Sequence, residues 1–545
     1  MKKELLVIIL LVMLTFPAVR SLLIPGGYTS HDLTHHVVRQ ISMDKLLSEG
    51  QFPPRWSGEL NQGFGYPVFL FNYPLPAMLG QLFHWSGFGF VDSVKAVLFA
   101  SMILSLVGMY LFLKELLGSR MAAFLGAVFY LYAPIRFLNV YVSAAVGSAL
   151  GQALVPFVFL SLLAVIKGKK WGIWAGGLSL ALLILAHNVT AVLFAPVLIV
   201  FGLIWVRVFG DVRVVKRLGV MVLLGLGLSA WFWLPAVWEK QYIRFDEIYS
   251  GFYKDQFVSL WQLLRSPWGY GLSHPQNPEP GDMSYQLGLV QVLVMVVLGG
   301  VWWFYRRVRE VRVFGAMVLI LFAVSVFLEL QVSIPVWENV PFLSIVQFPL
   351  RFQAVAVFAA AIAAALLIKH LPYRKILFVV LLLLVIYANR NHWRINEQFN
   401  PGDEYYQNLK TTSTSYGEHL PRWGKIAERE APARVEVVSG FGVVRVVKEE
   451  SAKVLAEVEA ADAAKLRLNQ FYFPGWQIKI DGKPVQFNYL IDGKSYGLPV
   501  FDIEAGKHTI LAEFKNTQIR NLADLISLLS VIVLLGIICK QFLRR

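Results

Sequence analysis

The sequence predicts an all-α polytopic membrane bundle that carries a β-rich domain near its C-terminus. Three observations support that expectation. The 545-residue chain is 57% hydrophobic and only 16% charged, against roughly 25% charged residues in a soluble protein. Its apolar residues recur in runs of about 20, the length that crosses a bilayer as a helix. Over residues 470–515, by contrast, apolar and polar residues alternate around Asp-Gly-Lys and Ala-Gly-Lys turns, which is a strand and hairpin pattern.

The first run, MKKELLVIILLVMLTFPAVRSLLIPGG, has a basic start. A cleaved leader would share that start, but the apolar stretch resumes after Arg20 and no clean small-x-small site follows. It therefore reads as a retained helix. Further spans fall near 91–113, 121–139, 144–166, 171–187, 189–206, 217–237, 286–305, 311–330, 346–368, 375–389 and 521–539. The segment 66–85 is apolar too, but it holds three prolines and Asn72.

Charge decides whether 66–85 crosses. Without it, seven basic regions share one side: Lys2/Lys3, Lys114/Arg120, the 167–170 and 207–217 groups, 306–312, Lys369 to Lys375, and Lys540/Arg544/Arg545. Short connections near 140–143, 187–189 and 331–345 carry no Lys or Arg and fall on the other side. That is the positive-inside arrangement. The expectation is about twelve helices in the cytoplasmic membrane with both termini cytoplasmic. The net charge of +15 is then a topology signal, not a nucleic-acid footprint. The sole cysteine, Cys539, leaves no intramolecular disulfide.

The domain expectation follows. Residues 1–389 form the transmembrane part, 390–520 an extracytoplasmic sandwich-like β domain, and 521–545 a last helix with a basic tail. Two further segments, 25–90 and 238–285, lie outside. In 25–90 polar and aromatic residues are dense, with Arg39 inside GYTSHDLTHHVVRQ and Arg55, Trp56, Asn61, Tyr66, Asn72 and Tyr73 after it. A loop that long is functional or disordered, and FGYPVFLFNYPLPAML is too apolar to stay disordered in water.

A carboxylate at the membrane boundary suits transfer of a sugar from a lipid phosphate. Such transfer needs a base for the acceptor hydroxyl and a cation for the departing phosphate. Asp32 is the candidate base, with His31, His35 and His36 beside it, and Arg351 in FLSIVQFPLRFQ is the candidate cation. Each has a structural alternative. Asp32 stands where a helix starts, Arg351 suits a lipid headgroup, and His187 and Asn188 suit a turn between helices. No cofactor is required. His31 and His35 are spaced four apart for a divalent metal, but no third ligand follows, which makes metal the weaker alternative.

Taken together, SHDLTHH, GQFPPRWSGELNQGFGYPVFLFNYPLPAML, KELLGSRMAAFLGAVFYLYAPIR, LAHN, WFWLPAVWEK, IVQFPLRFQ, TTSTSYGEHLPRW and FYFPGWQIKIDGK resemble the GT-C membrane glycosyltransferases. The likeness is closest to the YfhO-like, pyruvoyl-tetrahydropterin-synthase-related membrane proteins and covers essentially the whole chain. It implies inverting transfer from a polyprenyl-phosphate-sugar donor to a glycan or lipid acceptor of the cell envelope. It also implies that Asp32 is the base, that Arg351 contacts the donor phosphate, and that His31, His35, His36, Arg55, Trp56, Asn61, Tyr66, Tyr73 and His187 bind substrate. One departure stands out. An Arg-Gly and an acidic residue are expected after the third helix, where this chain has Ser143, Ala144 and Ser148. The alternatives are a non-catalytic scaffold or lipid/sugar carrier of the same architecture, and a transporter. A transporter would show inverted repeats or paired broken helices, and no internal repeat is visible.

Overall fold

The computed structural model describes residues 2–209, 214–411, 413–490 and 497–543. Arg213, Arg544, Arg545 and the second Asp-Gly-Lys turn at 492–494 lie outside the described residues. A helix occupies every position where a span was expected. Among the described residues, seven helices are long and apolar enough to cross a membrane. Two broken helices raise that number to nine: Arg120–Leu131 with Pro134–Val142, bent by 52°, and Val214–Leu228 with Ala230–Tyr242, bent by 72°. The first break precedes Pro134, which holds Ala133 in an extended conformation. Trp171–Ala186, Leu289–Tyr305 and Arg374–Ala388, of 16, 17 and 15 residues, occupy the remaining expected positions and are shorter. Segment 66–85 forms Val68–Phe71 and the 11-residue Leu75–Trp85. At 1.5 Å per residue the longer helix covers about 16 Å, roughly half a hydrocarbon core.

The helix Gln353–His370 is the bundle's central post and is buried along nearly its whole length. Its alanine-rich face lets neighbours approach closely: a Cβ on Gly126 would lie 2.7 Å from the Ala361 carbonyl oxygen. The helix Phe90–Leu117, about 42 Å long by its rise, marks the two ends of the molecule. Near its start, Phe90 N–H donates to Asp403 and Lys95 donates to the Ile24 and Gly26 carbonyls. Near its end, Glu4 pairs with Lys114 and Arg120, and Glu115 with Lys167 and Lys169. The clustered basic residues of these loops thus gather at the opposite end from segments 25–90, 238–285 and 390–520.

Those three segments pack together. Strand β1 (Gly27–Tyr28) pairs antiparallel with β2 (Gln398–Phe399). Among the described residues the domain beyond has eight strands: β3 (Val435–Ser439), β4 (Gly442–Glu450), β5 (Lys453–Ala460), β6 (Ala464–Leu468), β7 (Trp476–Ile480), β8 (Lys483–Pro484), β9 (Val500–Ile503) and β10 (Gly506–Phe514). They form a five-stranded sheet in the order β4-β5-β10-β7-β8 and a three-stranded sheet β3-β6-β9. Inward residues alternate along β5, and Val454, Ala456, Val458 and Ala460 are buried.

The Asp-Gly signal at 481–482 gives a two-residue hairpin between β7 and β8, with φ of +50° and +80°. The Ala-Gly-Lys turn makes no hairpin. It passes the chain from β9 in one sheet to β10 in the other, because β10 takes both its partners, β5 and β7, from the larger sheet. The domain shares a single core with the first loop, in which Trp56, Tyr66 and Phe69 lie among Leu466, Phe473 and Trp476.

Candidate functional site

A cavity of about 460 Å³ opens where these segments meet the bundle. Its wall includes the start of helix Leu33–Ser48, the stretch around Tyr73, the broken third helix and the turn after it, the connection around His187, parts of segment 238–285, the N-terminus of the central post, and the segment around Glu418.

Asp32 enters from the first of these. Its N–H donates to the Ser143 carbonyl at 2.9 Å, and the neighbouring His31 N–H to Val142 at 3.1 Å, so the loop is pinned to the end of the broken helix. Asp32 stands at the N-cap position of Leu33–Ser48, yet its side chain makes no capping hydrogen bond. Ser30 Oγ accepts from Leu33 N–H instead, at 3.3 Å. The carboxylate lines the cavity and does not perform the capping task its position suggested.

Arg351 enters from the post. Its Nη1 donates to the Val346 carbonyl and to Gln347 Oε1, both at 2.7 Å. The guanidinium carbon lies 4.9 Å from the Phe348 ring centroid. Among the described residues nothing accepts from its Nη2 or Nε. A second buried guanidinium, Arg39, donates to the Ser413 carbonyl at 2.5 Å and leaves its Nε unpartnered. Asp32 and both arginines line the same cavity.

The histidines surround these charges. His31 Nε2 lies 2.8 Å from the Gly271 carbonyl oxygen and ties the loop to segment 238–285. Burial holds the His35 imidazole below its ordinary range, helped by Arg39 and opposed by Asp32 and Glu418. Burial likewise pushes His36 well down, with Arg39, His35 and His187 adding to it. Burial thus disfavours the charged form of both rings, and Arg39 and Arg351 bring guanidinium groups to the same wall. His187 accepts from Thr190 N–H at 3.1 Å and meets the Tyr73 ring edge-on at 5.0 Å. Tyr73 fits only because residue 147 is glycine, where a Cβ would lie 2.2 Å from the ring. Among the described residues no three His, Cys, Asp or Glu side chains converge as a metal-ligand set.

Four of the expected site residues lie elsewhere. Trp56 is fully buried against Phe473, Trp476 and Phe514, and its Nε1 donates to Gln470 at 2.8 Å. Arg55 pairs with Asp524 at 2.6 Å. Asn61 donates to the Lys425 carbonyl and accepts from Ala427 N–H. Tyr66 meets Thr414 Oγ1 at 3.1 Å. These side chains fasten the loop to the β domain and the last helix, which is why none lines the cavity. Two of the three aromatics of YFPGW, Phe473 and Trp476, are buried core.

Ser143 and Ser148, the positions of the sequence departure, both line the cavity. A second carboxylate, Glu418, reaches it from the C-terminal domain. Sequence reasoning passed over Glu418. Its only signal was an acidic residue set in the aromatic, hydroxyl-rich run TTSTSYGEHLPRW.

Fold and site together define a polytopic membrane protein in which segments 25–90, 238–285 and 390–520 pack on a helix bundle around a cavity that holds charged and aromatic side chains. A family model described as 6-pyruvoyl-tetrahydropterin synthase related domain; membrane protein matches residues 71–395 of the 545. The chain belongs to that family of membrane proteins. It is similar to an uncharacterized protein of Lactococcus lactis subsp. cremoris, 22% identical over 245 residues, 42% of this chain. The match spans 38% of that relative's length. It is also similar to the apo oligosaccharyltransferase of Archaeoglobus fulgidus, with a TM-score of 0.47 and 13% identity over 77% of this chain and 60% of that one. Likeness at that level assigns neither an activity nor a site.

Proposed function

We propose that the protein is an inverting membrane glycosyltransferase that moves a sugar from a polyprenyl phosphate to a glycan or lipid acceptor of the cell envelope. One observation carries this reading: Asp32 and Arg351 line a single cavity, although they lie far apart in the chain.

The acceptor hydroxyl oxygen bonds to the anomeric carbon from the face opposite the phosphate. Its proton passes to the Asp32 carboxylate. The anomeric C–O bond breaks, and its electrons leave on the polyprenyl phosphate, whose charge is paired by Arg351 and Arg39. Phosphate departs without protonation, so one carboxylate suffices where glycosidases need two. Tyr73 and the neutral His35, His36 and His187 line the sugar's path as hydrogen-bonding groups. Twelve spans, with both termini cytoplasmic and the cavity at the outer face, complete the reading. The separation of the basic clusters from the cavity end supports that orientation.

A second reading has its own observation. Ser143 and Ser148 face the cavity where an acidic residue was expected, which favours a scaffold or carrier that keeps the architecture without turnover. Incubation of purified protein with polyprenyl-phosphate sugars, following polyprenyl phosphate release, separates the two. The transferase reading expects release. Its absence across glucosyl, mannosyl, galactosyl and arabinosyl donors leaves the scaffold.

A further inference from the structure

One buried carboxylate of the cavity has no part in the transfer step. Glu418 is 9% exposed. Its Oε1 lies 3.4 Å from the Tyr249 hydroxyl, which donates to it, and its Oε2 is buried without a partner. The backbone here is fixed from both sides. Leu420 N–H closes a turn onto Gly417, and Arg244 N–H donates to the Leu420 carbonyl at 3.1 Å.

Aromatic rings run from this carboxylate toward Arg351. Tyr249 meets Phe252 at 5.4 Å between centroids, and Phe252 meets Tyr416 at 5.9 Å and Phe348 at 5.2 Å. Phe348 is the ring against which the Arg351 guanidinium lies. Tyr249 sits within electrostatic reach of both ends. Burial first and the Glu418 carboxylate next raise its phenol, and Arg351 opposes them. All of these side chains line the same cavity.

We infer that Glu418, Tyr249 and this aromatic wall form a subsite for a neutral pyranose unit of the acceptor. A carboxylate with a free oxygen accepts hydroxyl hydrogens in pairs, and ring faces cover the apolar C–H face of a sugar. An anion is the wrong occupant, because Glu418 would repel it, whereas the phosphate end carries Arg39 and Arg351. The word acceptor rests on the transferase reading; the saccharide assignment stands without it.

The test uses full-length protein in detergent and neutral trisaccharides of gluco, galacto and manno configuration, with ligand-observed NMR as the binding readout. Wild type is expected to bind one of them. Glu418→Ala is expected to bind at least ten-fold more weakly, and Tyr249→Phe several-fold more weakly. The isosteric Glu418→Gln covers the case where Glu418→Ala fails to fold, with melting temperature as the check. No saccharide binding by wild type, or unchanged binding by folded Glu418 variants, overturns the subsite. Saccharide binding without transfer from any donor keeps the subsite and overturns the transferase reading. If transfer occurs and Glu418→Ala raises KM for the donor but not the acceptor, the acceptor assignment is overturned.

Discussion

Residues 31–39 and 55–66 belong to one segment and both carry polar side chains, yet the fold uses them in opposite ways. In the second stretch the principal polar groups have protein partners: Arg55 with Asp524, Trp56 with Gln470, Asn61 with two backbone groups, Tyr66 with Thr414. In the first, Asp32 declines its capping role, while His35 Nδ1 and Arg39 Nε are buried without partners. An unpartnered buried polar atom costs stability, so its presence in a cavity wall points to a ligand. Density of polar and aromatic residues marks the loop as important, and partnering separates its anchor from its working face.

That contrast breaks most visibly at Trp56. Trp56→Ala should cost about 3–5 kcal/mol of stability, read by chemical denaturation, because the ring is fully buried between loop and sandwich. A loss below about 1 kcal/mol would remove the anchor assignment. On the working face, Arg351→Gln should leave the melting temperature nearly unchanged but lower kcat/KM for the polyprenyl-phosphate donor. One charge-assisted hydrogen bond is worth about 1.5–3 kcal/mol, which is on the order of 10- to 100-fold. Equal kinetics in the variant would make Arg351 a lipid anchor only.

Asn61→Ala sharpens the contrast at lower cost. It removes the hydrogen bonds to the Lys425 carbonyl and from the Ala427 N–H and places alanine at a φ of +52°. The expectation is about 1–3 kcal/mol of destabilisation with unchanged turnover per folded molecule.

Acidification probes the working face as a whole. His35 and His36 are held below their ordinary range by burial, and His419 is pushed down to about 4. The unfolded chain, with histidines near 6.5, therefore binds more protons than the folded chain as pH falls below that value. Stability is complete above about pH 6.5 and falls as pH drops toward 4, by about 1.4 kcal/mol per unit for each histidine involved. A melting series from pH 7.5 to 5 checks the sign; a melting temperature flat across it would show that these rings take up protons in the folded protein as they do in the unfolded chain.

Much of the architecture was legible in advance because bilayer thickness and backbone hydrogen bonding leave few options. Every expected span holds a helix, and the Asp-Gly at 481–482 turns as its chemistry requires. The Ala-Gly-Lys turn was misleading because local turn chemistry does not say which sheet takes the next strand. Asp32 was legible as the lone carboxylate of a polar run beside an apolar helix. Glu418 was not, because its importance lies in an unsatisfied oxygen that exists only once the C-terminal domain closes on the bundle. That Arg55, Trp56, Asn61 and Tyr66 lie away from the cavity was illegible for the complementary reason: their partners lie hundreds of residues away, and no local spacing reveals them.

The most direct measurement compares polyprenyl phosphate release by wild type and Asp32→Asn at equal folded concentration. If Asp32 is the proton acceptor, release falls by about 10²–10⁴-fold while the melting temperature stays within a few degrees of wild type. Release within a factor of three of wild type would contradict that role.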